Sequence, residues 1–334
     1  MNKFYKENAL KIFGAVTFAL TLICTVLSTL SRTMFFDEIG YYQADAIIPK
    51  VFIVICACSV LAICVFCFVP KLRIEAGAIS SPLPVRIGAL ALAAGFAILT
   101  LESVNTLTVI TSEYSIVWDL EAVSYLILPL VIRLIATVHF IRAAIVKDQS
   151  GVFNVIGNTC VIIFAVSAIA STYFDAHIPM NAPNVTLLYL ALLSAMLLCV
   201  NEARVGLGDD KTALHAFCAA IATLFGTSFC ISEAFVYFEL LNDPHALEST
   251  ITVNSYYSII FFISVFAATR LASICFIKPA PIEEQNDDQQ TADEQIADEQ
   301  IADEQIADEQ IADEQITEQT EASEDVNDTQ ADAE

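Results

Sequence analysis

Arg133, Glu102 and Glu233 are the residues whose types and spacing could do chemistry, because each is an ionisable group inside an apolar run long enough to cross a bilayer. Arg133 stands within SYLILPLVIRLIATVHFIRAAIVK, residues 124–147. Counted from Val123 it lies about 15 Å along a helix, near the midplane of a ~30 Å hydrocarbon slab. A guanidinium stays charged there, so it must face other helices or a wet cavity. Glu102 and Glu233 lie about two-thirds of the way along their own runs, and Arg133 could reach them by extending its stem. One cation cannot neutralise two carboxylates. The second acid would share a desolvated site with a like charge, which favours its protonated form. A carboxyl that exchanges a proton at membrane depth is what a proton-coupled carrier requires, so these three residues are the expected substrate or proton site. A static ion pair fixing helix register is the plainer alternative.

The elements that must position them are eight apolar runs, at 9–31, 47–69, 86–109, 123–146, 152–173, 184–203, 213–238 and 253–277. They predict an all-α integral membrane protein with eight transmembrane helices over residues 1–279, embedded in a lipid bilayer. Placing the N-terminus inside puts Lys3, Lys6, Lys11, Lys71, Arg73, Arg86, Arg142, Lys147, Arg204, Lys211, Arg270 and Lys278 at the inner side, and only Arg32 and Lys50 outside. Both termini are therefore expected in the cytoplasm, in a membrane of the bacterial cytoplasmic kind. Arg142 and Arg270 are read as snorkelling orientation signals, and His139 as a packing residue.

A shift of 131 residues superposes the second to fourth runs on the sixth to eighth. It aligns Gly95 with Gly226, Glu102 with Glu233, and Ser124-Tyr125 with Ser255-Tyr256. Two parallel four-helix repeats, 9–147 and 152–278, are expected from this register. Arg133 falls on Ser264 under the same shift, so the halves differ where the charge matters. Gly88, Ala91, Gly95 and Glu102 lie near one helix face, as do Ala219, Ala222, Gly226 and Glu233. Small residues so spaced let helices approach closely, and the two faces are expected to meet each other. Pro129, one turn before Arg133, is expected to break or kink its helix.

Mean hydropathy is +0.64 although the net charge is −24, and the two belong to different parts of the chain. Residues 280–334 hold 21 of the 39 Asp and Glu and none of the 15 Lys and Arg. TADEQ at 291–295 is followed by four copies of IADEQ, whose five-residue period makes no apolar stripe on a helix. The stretch is expected to be a disordered acidic tail that could dock a basic cytoplasmic partner; nucleic acid is not an expected partner. Removing everything after Pro281 is expected to leave insertion and folding unchanged, as measured by membrane integration and by the elution profile in detergent.

The ten cysteines all fall in apolar runs, where they behave as small hydrophobes, and Cys64-x-x-Cys67 is read as packing. Asp175-Ala-His177 and Asp243-Pro-His245 in outer loops have donor types suited to a divalent cation, a weak pattern. No P-loop, Rossmann glycine run, HExxH or GxSxG occurs. No cofactor is expected, and an intramembrane enzyme ranks behind two other readings. The leading one is a transporter of a small solute or cation; the other is a non-catalytic scaffold that interacts through its tail.

Overall fold

Proline and glycine mark helix boundaries where the apolar runs begin and end. Pro129 and Pro183 occupy first helical turns, where a missing N–H costs nothing. Gly151 and Gly208 take the left-handed φ values of 101° and 82° that glycine adopts without strain, one just before a helix and the other just after one.

The computed structural model describes residues 3–36, 41–43, 45–69, 81–113, 127–146, 151–175, 182–208, 212–240 and 251–277. Eight helices occur among them: α1 (Lys3–Met34), α2 (Ile47–Phe68), α3 (Leu83–Glu113), α4 (Leu128–Ile145), α5 (Val152–Phe174), α6 (Pro183–Gly206), α7 (Thr212–Leu240) and α8 (Ile251–Phe276). Each is long and apolar enough to cross a membrane. The one β-bridge among the described residues is an isolated one between Phe36 and Tyr42. The acidic stretch 280–334, with its expected disorder, lies outside the described residues.

α7 is the most enclosed helix and packs against α1, α2, α6 and α8. α8 lies against both α3 and α7, while α3–α4, α4–α5 and α5–α6 close the rest of the bundle. The two small-residue faces are used, but not on each other. Gly88 and Gly95 of α3 abut Thr269, Phe266 and Phe262 of α8, and Gly226 of α7 abuts Ser264 of α8. The expected α3–α7 seam is thus replaced by two seams with α8 inserted between them. Helices drawn together by dispersion and close backbone approach gain two contacts from one central partner, where a direct pairing would give one.

Four helices meet in a ring cluster. Phe96 lies 6.1 Å from Phe140 and 5.5 Å from Phe164, and Phe140 lies 5.6 Å from Phe266. Such pairs contribute about 0.5–1.5 kcal/mol each beyond burial, which ties α3, α4, α5 and α8 at one level. Arg86, in the first turn of α3, donates to the carbonyls of Ala144 and Ile145 at 2.7 and 2.8 Å. It thereby satisfies carbonyls that the end of α4 leaves unpaired, so this cation also serves as a cap. All ten cysteines are free thiols.

Candidate functional site

The most buried charges lie on the side of the bundle where α1 begins, near the end of α6, the start of α7 and the last turns of α8. Arg270 is 1 % exposed, Glu202 2 % and His215 1 %. Arg270 Nε donates to Glu202 Oε1 and Nη2 to Oε2, both at 2.6 Å. His215 Nε2 stands 3.1 Å from the same Oε1. This is a bidentate guanidinium–carboxylate pair with an imidazole on its shared oxygen, built from three helices. The planar fork of Arg fits both carboxylate oxygens at once, and lysine could not reproduce it.

A second polar group adjoins it on α4, α5 and α6. Asn154 Nδ2 donates to the Glu202 carbonyl at 3.0 Å, Asn158 Nδ2 donates to Asn154 Oδ1 at 2.7 Å, and the same Nδ2 lies 3.4 Å from His139 Nε2. Gly157 makes room for His139, because any Cβ there would overlap the imidazole. His215 Nδ1, His139 Nδ1 and Asn158 Oδ1 are buried without a hydrogen-bond partner among the described residues. These polar atoms retain capacity for a proton, a water or a solute.

Arg270 therefore does not snorkel. It stays in the bundle because a carboxylate at matching depth answers it, which the inner-end cation count did not reveal. Glu202 and His215 were missed by sequence reasoning. The available signal was an acid, a histidine and an arginine each within a few residues of a helix end on one side of the membrane; Glu202 was obscured by its neighbour Arg204.

The three residues expected to form the site do not converge. Glu233 accepts from Arg32 Nε at 3.0 Å, joining the end of α1 to α7. Arg133 donates from Nη1 to the Ser103 hydroxyl and, at 3.3 Å, to the Leu99 carbonyl. Glu102 is exposed on α3, and among the described residues no ion pair joins it or Glu233 to Arg133. Ile127, just before the first residue of α4, already has helical φ and ψ, and residues 114–126, on which the depth of Arg133 along its span depends, lie outside the described residues. Pro129 lies in the first described turn, two residues after the π-helical Ile127, and the stretch on which its expected kink depends lies outside the described residues. Asp175 caps the end of α5, whereas His177, Asp243 and His245 lie outside the described residues. Among the described residues no cluster of His, Cys, Asp and Glu could hold a metal ion.

A hydroxyl seam runs toward the Arg32–Glu233 pair. Thr17, Thr21, Thr25, Ser28 and Ser31 of α1 are all buried at helical spacing, and Thr25 lies 3.5 Å from Ser228 of α7. Arg32 also covers the Phe36 ring at 3.8 Å. Glu233→Ala is expected to cost about 1–3 kcal/mol, because it strips a charged hydrogen bond from a largely buried guanidinium. Adding Arg32→Ala should cost less than the sum of the two single changes, as read from thermal unfolding of all four proteins in detergent.

Fold and site together define an all-helical, multi-pass membrane protein with a buried Arg–Glu–His cluster. Comparison with protein-family models, with curated proteins and with solved structures finds no match.

Proposed function

We propose that this protein carries a small solute or ion across the membrane, with its charge-handling centre at Glu202, Arg270 and His215. One observation carries the proposal: three ionisable side chains from three helices share one desolvated site, where apolar residues of similar volume often pack at little or no loss of stability. Ionisable groups kept at such a place serve pathways and relays far more often than packing. Arg133, Glu102 and Glu233 are assigned no common site. Glu233 with Arg32 closes the opposite end of the α1–α7 seam, and both termini are placed in the cytoplasm by the distribution of Lys and Arg. We also propose that 9–147 and 152–278 arose from one four-helix unit. What supports this is the 131-residue register itself, which matches Gly95 to Gly226, Glu102 to Glu233 and Ser124-Tyr125 to Ser255-Tyr256.

Scaffolding is favoured by a different observation, that both Glu202 oxygens are already engaged by Arg270, as in a lock that joins helices. The acidic stretch would then hold a basic partner.

Proteoliposomes loaded with a pH-sensitive dye and challenged with monovalent cations, amino acids and carboxylic acids separate the two. A carrier shows dye-reported flux evoked by one solute class, and His215→Asn, which keeps Glu202 and Arg270 paired, uncouples that flux from protons. No evoked flux from any probe, with a folded and inserted protein, overturns the carrier.

A further inference from the structure

An apolar cavity of about 440 Å³ lies between α2 and α6, with Phe225 of α7 as its floor. Ile53, Ala57 and Val60 form one wall, Leu187 and Leu190 the other, and Tyr42 closes one end. Ile53 is 59 % exposed and Leu190 38 % exposed, so both walls belong to the lipid-facing surface. From Phe52 to Val60 the wall rises about 12 Å along the helix. The shape is a lengthwise slot, open sideways to hydrocarbon. Left empty, its lining would forgo dispersion contacts that a flexible chain supplies.

Charge indicates which molecule supplies them. Lys50 lies one turn before Ile53 and two before Ala57 on the same face of α2. It is exposed and forms no ion pair with any described residue. With Arg32 it is one of the two cations that the distribution of Lys and Arg leaves on this side, and Arg32 is already committed to Glu233. Asp45, exposed in the turn before α2, is the opposing charge nearby. A cation one turn beyond an apolar slot that Tyr42 also lines matches an anionic phosphate above an acyl chain.

We infer that the α2–α6 groove is a binding site for an anionic phospholipid, with one acyl chain in the slot and its phosphate on Lys50. This does not depend on the carrier proposal.

The test uses the full chain reconstituted with equal amounts of phosphatidylglycerol and phosphatidylcholine, washed in mild detergent, with retained lipid counted by mass spectrometry. The parent should keep phosphatidylglycerol in preference. Lys50→Glu should cut that retention about tenfold. Ala57→Trp, and Leu190→Trp from the opposite wall, should each remove the retained lipid, whereas Ile98→Trp on the lipid face of α3 should not. Unchanged retention in Lys50→Glu overturns the phosphate contact, and unchanged retention in either folded groove variant overturns the site. So does a parent dimer that Ala57→Trp dissociates, because the slot would then hold a second copy of this chain. Either tryptophan variant decides the matter if the other fails to fold.

Discussion

Arg270→Met is expected to destabilise the folded protein by about 3–5 kcal/mol, because it leaves the Glu202 carboxylate buried with only an imidazole to answer it. Glu202→Leu should cost as much, since it strands the guanidinium. The double change Glu202→Leu with Arg270→Met should recover most of the loss, because removing both charges also removes their desolvation cost. Thermal unfolding of the four proteins in detergent gives the coupling energy directly. A double variant no more stable than either single one would mean that the pair does more than neutralise itself. Conversely, full recovery of stability with loss of solute-evoked flux would separate the chemistry of the cluster from its packing.

Gly157→Val should be nearly as damaging, at roughly 1–3 kcal/mol, because its side chain must occupy space held by the His139 ring. Relief requires His139 to leave its place near Asn158, and that contact closes the polar chain from α4 through α5 to the Glu202 carbonyl. His139→Ala in the Gly157→Val background should therefore restore stability, although the same change alone opens a cavity. That inversion of sign, read from melting temperatures of the four combinations, distinguishes a steric clash from a general intolerance of valine in α5.

The buried charge pairs join residues that lie far apart in the chain. Glu202 and Arg270 are 68 residues apart, and Arg32 and Glu233 are 201 apart. Hydropathy places such groups in or beside apolar runs but does not show which are buried or which face one another, because any charge there gives the same local signal. Arg133 drew attention as the charge nearest the middle of its run. Its guanidinium turns to Ser103 and Leu99 on the adjacent α3, beside but not onto Glu102, and Glu233 on α7 pairs with Arg32.

By itself, the sequence determined that eight apolar helices span a membrane and that small residues on α3 and α7 allow close packing. Each property is local: run length against bilayer thickness, and residue size at a fixed angular step. Only the tertiary structure decided that α8 receives both small-residue faces and that Arg270, Glu202 and His215 form the buried charge centre. Those choices follow from how the helices are rotated and ordered, and rotation is set by the sum of contacts between segments far apart in the chain.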